Sequence, residues 1–161
     1  MSTWDASIWD ASIGDAGDGQ ASHGQAGDGI VEFPDGRLIR GRGLRRPVPG
    51  ALQPQFGIYL LGREPAPFEW ESRWIPWPDF RLPRDTQNAL EILRDGYARA
   101  ASQRVEIACG GGVGRTGTAL AALAVIAGVP SDEAVTWARS HYRTRAVETP
   151  WQRRWIRTIR P

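Results

Sequence analysis

The chain's one cysteine, Cys109, stands six positions ahead of Arg115, and the five residues between are Gly110, Gly111, Gly112, Val113 and Gly114. Thr116 follows directly. The stretch lies where a strand-like segment gives way to a helix-like one, and there successive backbone N–H groups and a helix N-terminus make an anion site. A tight loop of this length lets five amides and the Arg115 fork converge on one phosphate. The Cys109 sulfur would then lie beneath the phosphorus, with the helix dipole favouring its thiolate. The glycines let the backbone curl without Cβ clashes.

Two other phosphate-binding chemistries compete for the same residues. A Walker loop needs glycine, four residues, then Gly-Lys-Ser/Thr. Here Cys109 occupies the first glycine position and Arg115 the lysine position, so that reading fails twice. A dinucleotide fingerprint fares better, because Gly112-x-Gly114-x-x-Gly117 matches G-x-G-x-x-G after a strand. It also needs an acidic ribose ligand at the end of the next strand. Asp132 and Glu133 fall at that distance but open a helix beside Pro130, and too little chain follows Gly117 for the rest of such a domain.

A phosphoryl transfer at Cys109 also needs a proton donor for the leaving group. Trp77-Pro78-Asp79 lies thirty positions before the cysteine and follows a candidate strand. Together these residues give the chain a likeness: it resembles the cysteine-dependent protein tyrosine and dual-specificity phosphatases. Their signature is Cys-x5-Arg-Ser/Thr, and their movable acid loop carries Trp-Pro-Asp. The first pattern alone also occurs in rhodanese-like folds; the second makes the resemblance specific. It spans residues 74–160 and implies a protein tyrosine phosphatase-like α/β fold with a largely parallel central sheet flanked by helices. It implies hydrolysis through a cysteinyl-phosphate, with Cys109 as nucleophile, Arg115 and the loop amides as phosphate clamp, Thr116 beside the sulfur and Asp79 as general acid. No metal or cofactor is implied. The substrates implied are a phosphorylated protein, phosphotyrosine first, or a small phosphate monoester.

Gln152 carries two readings. The resemblance implies a glutamine near this place that orients the hydrolytic water, while Thr149-x-x-Gln152 also spells a capping box. Ala108 is a departure, because the family usually has His immediately before the nucleophile, where it helps hold the loop. Its loss raises the alternative of a phosphate-binding pseudophosphatase that recognises phosphorylated partners without turnover; the retained Asp79 argues for an enzyme. The ordinary readings are an inert buried thiol for Cys109, a turn cap for Asp79 behind a Trp77-Pro78 plug, and a helix cap for Asp85. Trp137, Trp151 and Trp155 read as core or wall, and Arg153 and Arg154 as a solvated face. His23 and His141 suggest neither a triad nor a metal site.

The elements that must position these groups alternate. Val31–Phe33 and Arg37–Arg40 read as strands around Pro34-Asp35-Gly36, and Arg42–Arg46 as a loop. Phe56–Leu61 is a buried strand and Ser72–Trp77 another. Asp85 caps a helix with Leu90, Leu93 and Tyr97 on one face. Arg104–Cys109 is a strand, and an all-round apolar helix runs from Gly114 to Ala127. Ser131-Asp132-Glu133 caps a helix through Tyr142, and Thr149-Pro150 opens the last one.

The 161 residues suffice for one domain and not two. All 20 basic residues are Arg, so any phosphate site must use guanidinium forks and amides. Residues 1–31 hold five Asp and no Arg, leaving a basic body. The tandem repeat Trp4–Ile8 and Trp9–Ile13 and the Gly-Asp-Gly-Gln stretch after it read as an acidic leader over 1–29, inert or docked through its two Trp. The domain proper spans 30–161. One cysteine excludes a disulfide framework, and no apolar run is long enough for a membrane span. The N-terminus lacks a secretory signature, so the expectation is a cytoplasmic protein with no membrane partner. The Arg37–Arg46 cluster gives nucleic-acid binding little support, with only Phe33 and Tyr59 as nearby aromatics.

Overall fold

In the computed structural model the described residues are 3–4, 29–46 and 52–161. Five strands form one sheet: β1 (Ile30–Glu32), β2 (Leu38–Gly43), β3 (Phe56–Leu61), β4 (Glu71–Pro76) and β5 (Val105–Cys109), in the order β1-β2-β5-β3-β4. The β1–β2 hairpin is antiparallel and every other pairing is parallel. Strand β5 is central and buried at every residue, so Cys109 emerges at the carboxyl edge of the sheet's middle. In open α/β sheets that edge is where ligands bind.

Four helices cover the sheet: α1 (Thr86–Arg99), α2 (Gly114–Ile126), α3 (Ala134–His141) and α4 (Pro150–Thr158). Helix α2 is buried from Gly114 to Val125 because α3, α4, α1 and the sheet enclose it, which explains its lack of a polar face. Asp85 caps α1 by accepting from the Asn88 amide at 2.9 Å, as its position before the apolar face suggested.

Two expectations need correction. Arg42 and Gly43 do not begin a loop. They continue β2 alongside Ala108 and Cys109 of β5. A charged residue fits this buried strand because Glu106 on β5 gathers both Arg40 and Arg42, with Arg40 Nη2 at 2.7 Å and the Arg42 Nε–Glu106 pair closer still. The Tyr59 hydroxyl also donates to Glu106 at 2.9 Å. The second correction concerns α3, which starts at Ala134 with no side-chain cap. The backbone closes the turn before it instead, through Glu133 N–H to Pro130 O at 2.9 Å, and Trp137 N–H donates to Glu133 O at 2.9 Å.

Trp4 is fully buried. Its indole Nε1 donates to Val105 O at 3.1 Å, and the Arg40 guanidinium stacks over its ring at 4.3 Å. Of the two readings of the leader, docking therefore holds at this residue. Trp9, His23 and the remainder of the repeat lie outside the described residues.

Candidate active site

The Cys109–Arg115 loop is held by its neighbours before it holds anything itself. Gly112 has φ +73°, a conformation that costs glycine little, and a Cβ there would lie 2.3 Å from Gly43 N and 2.6 Å from Arg42 C. Only glycine lets the loop lie against the end of β2. In this position the Gly112 amide donates to Cys109 Sγ at 3.1 Å, and the Thr116 hydroxyl donates to the same sulfur at 3.1 Å. Cys109 forms the floor of the cradle and is 2% exposed, while Gly111 is at the open mouth.

Arg115 leaves the first turn of α2 and is itself 7% exposed. Its Nη1 donates to Trp77 O at 3.0 Å, and its Nε faces Asp79 Oδ1 at 3.5 Å. One guanidinium thus ties the phosphate loop to the Trp77-Pro78-Asp79 segment, which follows β4. Trp77 is buried edge-on against Trp155 of α4, ring centroids 5.6 Å apart, and its Nε1 donates to Arg81 O at 2.6 Å. Asp79 behind this anchor is about half exposed, with Oδ1 accepting from Phe80 N at 3.1 Å. Phe80 has φ +59°, a strained value for a bulky residue; the exposed Trp151 indole holds its carbonyl at 2.6 Å. Trp151 is therefore a clip on the acid segment rather than core.

Cys109, Arg115, Thr116, Asp79 and the residues Gly110 to Gly114 come together at one mouth. Gln152 does not join them. Its Oε1 accepts from the amides of Glu148 at 3.1 Å and Thr149 at 3.2 Å, and its Nε2 donates to Arg81 O at 3.1 Å. Thr149 Oγ1 in turn accepts from Gln152 N, so the capping box is formed at both ends. The carboxamide is fully buried, with its Oε1 taken by two amides and one Nε2 hydrogen by the Arg81 carbonyl. Of its two readings, the capping box is formed in this structure.

Tyr142 is a site residue that no motif marked. It follows α3, is 2% exposed, and its hydroxyl donates to Gly112 O. Burial pushes its pKa up, so the hydroxyl stays a donor. A bond to the carbonyl of the glycine whose amide reaches the sulfur braces the loop from behind. Ala108, where the phosphatases that the sequence resembles usually have His, is fully buried and supplies no such tie. No helical or strand periodicity could have singled out Tyr142, because its partner lies thirty residues away. Among the described residues no group of three or more His, Cys, Asp or Glu side chains is placed to hold a metal ion. Nor is any described helix long and apolar enough to cross a membrane.

A central parallel strand that ends in a cysteine, a glycine loop closed by an arginine, and an aspartate loop on that arginine define a cysteine-dependent phosphatase. Residues 68–161 match the model of the DSP-PTPase phosphatase domain of Swiss Army Knife proteins (PTP-SAK), and the chain belongs to that family. Among solved structures it is similar to Tk-PTP in the active form, with TM-score 0.62 and 28% identity over 78% of this chain and 92% of that one. A mutant form of Tk-PTP gives TM-score 0.61 and 26% identity over 80% and 93% of the two chains. No curated protein matches the chain in sequence.

Proposed function

We propose that this phosphatase hydrolyses phosphate monoesters, protein phosphotyrosine first, through a cysteinyl-phosphate and without a metal ion. The observation that carries the reading is the convergence on Cys109 Sγ of two donors at 3.1 Å, in a loop whose arginine also meets Asp79. In the first step the Cys109 thiolate attacks phosphorus and the phosphorus–oxygen bond to the leaving group breaks. The electron pair goes to that oxygen, which takes the proton of the Asp79 carboxylic acid. The loop amides and Arg115 carry the charge of the transferring phosphoryl group. In the second step water attacks the phosphocysteine, Asp79 takes the water's proton, and sulfur leaves as thiolate. Thr116 donates to that sulfur throughout. A free thiol nucleophile suits a reducing compartment such as the cytoplasm.

The test is hydrolysis of p-nitrophenyl phosphate and of phosphotyrosine peptides in EDTA. Cys109→Ser should abolish turnover and keep phosphate binding. Asp79→Asn should lower kcat by roughly 10²–10⁴ for a poor leaving group, and less for a good one. Equal losses across a leaving-group series would make Asp79 structural. Wild-type protein that binds phosphate but turns over none of these esters would instead make it a pseudophosphatase.

A further inference from the structure

The turn after β2 is fastened to the phosphate loop by its backbone. Leu44 N donates to Cys109 O at 2.8 Å and Arg45 N to Gly110 O at 3.2 Å, while Arg46 N closes the turn on Gly43 O at 3.1 Å. These bonds put the Arg45 side chain at the rim of the cradle. Its Nη2 lies 3.5 Å from the point where a Cβ on Gly110 would sit, and Arg115 Nη2 lies 3.6 Å from that same point. Arg115 has already committed Nη1 to Trp77 O and turned Nε to Asp79. The free ends of two guanidinium forks therefore face one small space, which Gly110 keeps open.

Nothing among the described residues neutralises the second fork. Arg45 is exposed and, among the described residues, forms no ion pair. A scissile phosphate in the loop answers the charge of Arg115, and the Arg45 fork at the rim beside it keeps its own charge. Like charges so placed repel until an anion joins them, and a planar fork suits a phosphoryl group.

We propose that Arg45 builds a second anion subsite beside the catalytic loop, so that the substrate is a phosphate monoester carrying a second phosphoryl group close to the first. This rests on the reading of the loop as the phosphoryl site and narrows its substrate class. The first phosphoryl group sits over Cys109 and is cleaved. The second stays outside the loop, held by the Arg45 fork with the neighbouring Arg46 adding to the field. Monoesters that lack the second group lose this contact while keeping all of those to the loop.

Titration calorimetry at fixed ionic strength on the Cys109→Ser protein tests it without turnover. The probes are myo-inositol 4-phosphate against myo-inositol 4,5-bisphosphate, and a phosphotyrosine peptide against the same peptide with an adjacent phosphoserine. The doubly phosphorylated member of at least one pair should bind about tenfold more tightly or better, the usual reach of one charge-assisted contact. Adding Arg45→Gln should bring that ratio close to one, and Arg45→Lys should keep part of it, with thermal melts confirming that each variant folds. The pair that shows the Arg45-dependent preference identifies the carrier. Equal affinities within both pairs, or a preference that survives Arg45→Gln, would overturn the proposal. Neither result touches hydrolysis of aryl phosphate by the wild-type enzyme, so the two readings fail separately.

Discussion

Tyr142→Phe removes one oxygen from the protein and with it the only side-chain donor to Gly112 O among the described residues. The ring stays, and with it the packing on β2, where a Cβ on Gly41 would come within 2.7 Å of Tyr142 Cε1. Water cannot replace the lost donor from the Tyr142 side, because that residue is 2% exposed. A buried carbonyl left without a partner costs about 1–3 kcal/mol. The loop can relieve the cost by turning the Gly112 carbonyl away, but the Gly112 conformation that aims its amide at Sγ is then lost. If the cost falls on that equilibrium, the competent fraction drops roughly fivefold to 150-fold. The assay is kcat/KM for p-nitrophenyl phosphate, beside the inhibition constant of inorganic phosphate and the Tm. Phosphate inhibition should weaken in parallel with the fall in kcat/KM, because both need the formed cradle, while Tm changes by a few degrees at most. Full kcat/KM and unweakened phosphate inhibition, together with a lowered Tm, would show that Tyr142 merely packs.

Three further outcomes follow from buried groups. Glu106→Gln leaves the Arg40 and Arg42 guanidinium groups buried without a counter-charge, so stability should fall by about 3–5 kcal/mol in urea unfolding; a loss under 1 kcal/mol would refute the pairing as a structural requirement. Trp4→Ala removes a fully buried indole with its bond to Val105 O, and should cost about 3–5 kcal/mol, or a Tm drop of roughly 6–20 °C; an unchanged melt would make the docking incidental. Burial raises the pKa values of Tyr59, Tyr97 and Tyr142 above the ordinary phenol value. Below about pH 10 both folded and unfolded chains keep these protons. Above it the unfolded chain gives them up first, so stability should fall by up to about 1.4 kcal/mol per pH unit for each tyrosine. Urea midpoints that stay flat from pH 9 to pH 11 would contradict the burial of these hydroxyls.

Local chemistry settled a large part of this protein in advance. Cys109, the glycines and Arg115 can serve one anion only as a loop between a strand and a helix, so their spacing already dictated β5, the turn and α2. The all-round apolar run after Gly114 demanded enclosure, and the structure encloses it. Asp85 and Thr149-x-x-Gln152 are short-range caps whose partners lie within three residues, and both form as written. What the sequence could not state is which distant groups meet. Arg40 and Arg42 look like loop charges until Glu106 arrives from another strand and makes a buried strand affordable for them. Tyr142 braces Gly112 across thirty residues, Arg45 turns up at Gly110, and Trp4 reaches Val105 from the far end of the chain. Gln152 shows the same division from the other side: its capping box was legible in Thr149-x-x-Gln152, while its bond to the carbonyl of Arg81, delivered by the acid segment, was not. Periodicity and capping act within a turn or a strand, where sequence distance is spatial distance. The contacts that tune this site depend on the order of strands in the sheet and on which loops it brings to its carboxyl edge, and only the folded chain fixes those.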